Sequence, residues 1–171
     1  MPGGGAFRRG ASSGTIARPK MEPRTRRVTN VYSSVSAVAA FVTQPVPALD
    51  ELIVVPIHYA LCIKIARTRG VSILKLPWKP IKKIIWYGAA ARLVTNFSLG
   101  LIPVFGMFAN SITAVALTEY LGRYLDDLIE HPERPPADVT FEHIKELFVS
   151  AMRKKGGAEA EAPPSDIEGA P

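Results

Sequence analysis

The chain has 171 residues, 47% of them apolar and 21% charged, with a net charge of +6. That length fits one domain, and that apolar content fits a real core rather than wholesale disorder. A single cysteine, Cys62, excludes a disulfide framework and a cysteine-built zinc cage.

The first 27 residues carry seven cations and one anion, so the whole net charge sits there. Gly3-Gly4-Gly5 and the Ser, Pro and Arg that follow have no apolar period, so residues 1–25 read as a disordered basic arm. No apolar core follows the first cations, which argues against a secretory signal. Residues 26–155 read as one helical domain, and residues 156–171 as a disordered acidic tail.

Five helices and no strand are expected. In 27–42, Val28, Val31, Val35, Val38 and Val42 recur at three and four residues, the packed face of a helix. Pro45 and Pro47 end it. In 48–67, apolar residues surround the axis, from Leu52 and Ile53 to Ile65, which predicts burial on most sides. Gly70 suits its exit. A basic connector with Lys75, Lys79, Lys82 and Lys83 interleaves with Trp78 and Trp86. The third helix spans about 80–99 and the fourth about 105–130, joined by a turn around Pro103 and Gly106. The fifth, about 140–155, is amphipathic, with Thr140 as its cap and Gly156-Gly157 as its exit.

The fold class is therefore all-α: two apolar helical hairpins, a C-terminal amphipathic helix and disordered tails. An offset of 56 residues aligns the first hairpin with the second, Pro47 on Pro103 and Arg67 on Arg123. Only six of the 44 pairs are identical, so the order of features, rather than identity, suggests an internal duplication. Any two such hairpins would align about as well. Both proline turns point to one end of this arrangement, and the charged helix ends gather at the other.

At Pro45-Val46-Pro47-Ala48-Leu49-Asp50-Glu51, at Arg67 to Val71, at Leu101-Ile102-Pro103-Val104-Phe105-Gly106 and at Ala114 to Arg123, the chain resembles the YcjF-type, GTPase-associated helical domain of bacteria. The resemblance covers about residues 40–130. It implies an α-helical domain often fused to, or encoded with, Era-like GTPases and often found at the inner membrane. It brings no catalytic residues. No Gly-x-x-x-x-Gly-Lys-Ser/Thr loop occurs in this chain, so a GTPase would have to act in trans.

The candidate sites are few. The histidines His58, His131 and His143 are scattered without metal-ligand spacing, and no cofactor or metal is expected. Arg92 is the only charge between Lys83 and Glu119. It either faces solvent or forms a buried ion pair, with Glu119 or Asp50 as its partner. Between Leu52 and Thr118 there is no acid but there are eight Lys or Arg. A surface of that kind suits an anionic membrane, with Lys75, Lys79, Lys82, Lys83, Trp78 and Trp86 at headgroup level. Nucleic acid is disfavoured, because the neighbours of these residues are apolar.

The sequence thus suggests a non-enzymatic, membrane-associated interaction module on the cytoplasmic side of a bacterial membrane, working with a small GTPase or a similar partner. Two observations oppose simple insertion. Mean hydropathy is only +0.13, and Asp50 with Glu51 would lie near the deep turn. The alternative is a soluble scaffold in the cytoplasm that forms homo-oligomers through its apolar end.

Overall fold

A computed structural model of the chain describes residues 21–43, 49–99 and 103–160. These residues form α1 (Pro23–Thr43), α2 (Leu49–Thr68), a 3-10 turn (Ile73–Lys75), α3 (Trp78–Leu99), α4 (Pro103–Glu130) and α5 (Phe141–Ala160). No strand occurs among the described residues. The fold is all-α. Pro45 and Pro47, expected to make the first turn, lie outside the described residues.

Local chemistry sets the helix ends. Glu22 precedes α1, and its carboxylate accepts the Thr25 N–H at 2.8 Å. Pro23 takes the first helical position, where its missing N–H costs nothing. Gly70 ends α2 with a φ of 68°. The Val71 N–H then reaches the Ala66 carbonyl at 2.9 Å, and the Gly70 N–H reaches that of Arg67 at 3.2 Å. The Thr140 hydroxyl accepts the His143 N–H at 3.3 Å and starts α5.

Two expected boundaries move. Helix α1 begins at Pro23, so 23–25 belong to it rather than to the arm. Helix α5 runs through Gly156 and Gly157 to Ala160, into the expected tail. The Ala and Glu that follow those glycines are strong helix formers.

Helix α4 is central. It packs on α1, α2, α3 and α5, and most extensively on α1, whereas α2 and α3 meet only sparsely. Contacts fix the directions. Ala40 meets Asn110, Ser36 meets Thr118 and Glu22 meets Asp126, so α1 and α4 are antiparallel. Asp50 meets Asn110 and His58 meets Thr118, so α2 runs parallel to α4. The four helices α1–α4 go up, down, up and down, and α5 lies along α3 and α4. The element order repeats at the 56-residue offset, but the packing does not, since α1 and α4 are far more intimate than their counterparts α3 and α2.

The main core lies toward the charged end. Leu61, Ile65, Ile81, Ile84, Ile85, Leu117, Leu121, Leu125, Ile144 and Phe148 are fully buried there. Among the described residues, the second apolar cluster, at the proline-turn end, is Ala40, Val54 and Ala114, with Ala39 packed against it.

Candidate functional site

Helix α1 is turned the other way round from the sequence expectation. Val31, Val35, Val38 and Val42 are 49–67% exposed, and the buried residues are Thr25, Thr29, Ser33, Ser36 and Ala40. Only Val28 of the valine series packs against the core. Small residues explain why. They let α1 approach α4 so closely that a Cβ on Gly122 would overlap the Thr29 side chain. Hydrogen bonds then link the two helices: the Ser111 hydroxyl donates to the Ala37 carbonyl at 3.2 Å, and the Asn110 amide to that of Ala40 at 3.0 Å. Small, hydroxylated seams of this type join helices where apolar attraction between them is absent.

Behind this seam lies a buried polar cluster at the proline-turn end. Arg92 is fully buried. Its Nη2 donates to Asp50 Oδ2 at 3.0 Å and to Asn110 Oδ1 at 2.7 Å. The Asn110 amide also donates to Asp50 Oδ2 at 2.9 Å. Arg92 Nη1 lies 3.2 Å from Glu51 Oε1, close enough for an ion pair but not aligned as a hydrogen bond. Two carboxylates therefore face one guanidinium. Burial pushes the Glu51 carboxyl up to about 7; the Arg92 guanidinium opposes the rise and the Asp50 carboxylate adds a smaller part to it. Burial pulls the Arg92 guanidinium down while Glu51 and Asp50 hold it up. A guanidinium stays charged in such a setting.

About two turns deeper, the Thr118 hydroxyl donates to the Ala114 carbonyl at 2.7 Å. It therefore accepts from His58 Nε2 at 3.1 Å, and it lies 3.2 Å from the Ser36 hydroxyl. Burial and the nearby Arg92 lower the His58 imidazole to about 3, so it is neutral. Burial pushes the Cys62 thiol up to about 12, which leaves it unreactive. No group of three His, Cys, Asp or Glu among the described residues is arranged to hold a metal ion.

The buried partner of Arg92 is thus Asp50 with Glu51, and not Glu119. Glu119 is exposed and lies nine residues beyond Asn110 on α4, about 13 Å along the helix. This corrects the Arg92–Glu119 pairing and settles on Asp50, the other candidate. The expectation that α2 is buried on most sides also fails, because Leu52 is 73% exposed and Ile53 is 39% exposed.

The basic connector divides in two. Lys75, Lys79, Lys82 and Trp86 are exposed. Trp78 is half-buried, donates its Nε1–H to the Ile73 carbonyl at 3.0 Å and packs on Tyr59. Lys83 is held by Asp138 at 2.6 Å and lies over the Tyr87 ring. Pro103 opens α4, and Gly106 is buried in its first turn. Gly106 is helical, so the positive φ that a sharp turn would demand of it is not needed.

The outer surface has a gradient. On α1 the exposed row reads Arg24, Arg27, Val31, Val35, Val38, Val42; on α3 it reads Lys79, Lys82, Trp86, Ala90, Val94. Leu49, Leu52 and Ile53 of α2 and Phe108 of α4 are exposed at the same apolar end, and Phe41 meets Phe108 edge-on at 6.0 Å. No described helix is long and apolar enough to cross a membrane.

No protein family model matches the chain, and no curated protein or solved structure matches it.

Proposed function

We propose that this chain is a non-enzymatic helical interaction module that seats its apolar end in one leaflet of an anionic bacterial membrane, from the cytoplasmic side. The observation that carries this reading is the surface gradient: cations at one end of α1 and α3, exposed valines, leucine, isoleucine and phenylalanine at the other. The apolar row from Val31 to Val42 is about 16 Å tall, close to half of a hydrocarbon core of about 30 Å. Trp86 lies between cations and apolar side chains, where an interfacial aromatic belongs. Asp50 and Glu51 are turned onto Arg92, so they bring no exposed acid to the apolar end. That removes the main cost of inserting it.

The partner in this reading is a small GTPase acting in trans, as the resemblance to the YcjF-type family implies. The apolar end would fix the module at the membrane, and the ionic end would be free for the partner. Contiguous exposed aromatics at Phe41 and Phe108 also favour the scaffold reading, in which two copies bury this end against each other.

Flotation with phosphatidylglycerol-containing vesicles tests the reading. Val38→Glu and Phe108→Glu change exposed positions, so far-ultraviolet circular dichroism should be unchanged while vesicle binding falls tenfold or more. Binding that both variants retain would sink the membrane reading. Loss of self-association in solution with vesicle binding intact would favour the scaffold. Co-purification of a guanine-nucleotide-binding protein from detergent-extracted membranes tests the GTPase partner.

A further inference from the structure

We infer that the basic arm preceding Met21 docks in cis into the acidic groove between the end of α4 and α5, at the opposite end from the exposed valines. The groove has a volume of about 660 Å³, and Met21 itself lines it. Its walls carry Asp126, Asp127, Glu130, Asp138 and Glu146, against Arg123 and His143. Asp126 is engaged with Arg69, and Asp138 with Lys83. Asp127, Glu130 and Glu146 form no ion pair among the described residues. The groove therefore presents unbalanced negative charge.

Two buried acceptors also lack a donor. Asp126 is 4% exposed; its Oδ2 accepts the Glu22 N–H, and its Oδ1 makes no hydrogen bond among the described residues, with Arg69 at 3.7 Å. The Tyr124 hydroxyl is likewise buried without a partner among the described residues. A carboxylate oxygen in the position of Asp126 Oδ1 is matched by a guanidinium or ammonium donor.

The chain supplies one by connectivity. Residues 1–20 contain Arg8, Arg9, Arg18 and Lys20 and no acid. Lys20 adjoins Met21, and Arg18 is three residues away, so it lies within about 10 Å of the groove. Arg8 and Arg9 reach up to about 40 Å from Met21, far enough to follow the groove along α5. A tether this short gives an effective concentration in the millimolar range, enough for a weak multivalent contact to form.

A consequence for regulation rests on the membrane reading. Anionic lipid competes for the same four cations, so a docked arm is withheld from the bilayer and a released arm adds to membrane affinity. Docking itself does not depend on that reading, and the experiment separates the two.

Spin labels are placed at Ser13→Cys and Ser150→Cys in the full chain with Cys62→Ala, and their distance distribution is measured without lipid. A resolved short-distance peak is expected at low salt. It should broaden at high salt and in the Asp127→Asn/Glu130→Gln/Glu146→Gln variant, whose three changes are all exposed and leave the fold intact. One broad distribution common to all conditions would overturn docking. Adding phosphatidylglycerol vesicles should then erase the peak. A peak that survives vesicles to which the protein demonstrably binds would leave docking standing and overturn the competition. If the protein binds no vesicles, the membrane reading fails while the peak still decides docking.

Discussion

The two ends of the bundle differ in what they bury and what they expose. Toward the charged end the interior is aliphatic, with Ile81, Ile84, Leu121, Leu125 and Phe148, and the outside carries Arg24, Lys79, Lys82, Arg123 and Asp127. Toward the proline-turn end the interior holds Asp50, Arg92, Asn110, His58 and Thr118, and the outside is Val38, Val42, Leu52, Val94 and Phe108. The first end follows the rule for a protein in water. The second inverts it. Hydrophobic burial holds the first end together, with α1 drawn close to α4 at Thr29 and Gly122, whereas hydrogen bonds and ion pairing hold the second. A single chain thus changes its cohesive force over about five helical turns, and each force can be broken separately.

The largest effect should come from the ionic cluster. Arg92→Met leaves Asp50 and Glu51 buried with no cation and should cost about 3–5 kcal/mol, read from urea unfolding by circular dichroism. Neutralising the whole cluster, Asp50→Asn/Glu51→Gln/Arg92→Met, should recover most of that loss. If Arg92→Met alone is silent, the inverted end is not held by its charges.

Next comes pH. Glu51 is raised from an ordinary 4.5 to about 7, so the folded state holds its proton more tightly than the unfolded one. Its contribution is greatest below about 4.5 and is lost as pH rises through about 7, a change at most on the order of 3 kcal/mol. His58 acts with the opposite sign. Its imidazole is lowered from 6.5 to about 3, so stability is full above 6.5 and is lost as pH falls toward 3. Stability should therefore rise from pH 3 to 4.5, stay level to 6.5 and fall toward 7. Glu51→Gln should abolish the fall near neutral pH and leave the acid limb. A fall that survives Glu51→Gln would assign it to another group.

A smaller cost is expected at the seam. Gly122→Ala forces its Cβ into Thr29, a short branched side chain that cannot swing away, and should cost about 1–3 kcal/mol. Gly88→Ala meets the methyls and Cγ of Leu117, a longer side chain with more freedom to turn than Thr29, and should cost less. Equal melting-temperature shifts for the two variants would remove the distinction between a tight polar seam and an adaptable apolar one. The smallest effect belongs to Pro103→Ala. Pro103 starts α4, and its loss should cost about 0.4–1 kcal/mol through the freer unfolded chain.

The helices themselves were legible in the sequence, because caps and breakers act locally. Gly70 ends α2 and Thr140 starts α5 where the sequence places them. The valine spacing in α1 marks one face of that helix. The direction of that face is not legible from spacing, because the close fit of small residues between α1 and α4 exists only once the two helices pack. The opposite face, Thr25, Thr29, Ser33, Ser36 and Ala40, carries a signal of its own in the sequence: small residues at the same helical spacing. The partner of Arg92 was narrowed to Asp50 and Glu119 but not decided, since pairing across 42 residues depends on how α2 and α3 face each other. The role of the second carboxylate, Glu51, likewise follows only from that packing. The groove between α4 and α5 was not foreseen, because it exists only once α5 folds back along α4.

The central claim is that the row from Arg24 to Val42 passes from water into hydrocarbon. Single spin labels along it, at positions 24, 27, 31, 35, 38 and 42, measure this directly through collision rates with oxygen and with a water-soluble nickel chelate in phosphatidylglycerol-containing vesicles. The account predicts nickel-dominated collisions at 24 and 27, a crossover near 31, and oxygen-dominated collisions at 35, 38 and 42. Nickel-dominated collisions at all six positions, in vesicles to which the protein is bound, would contradict it.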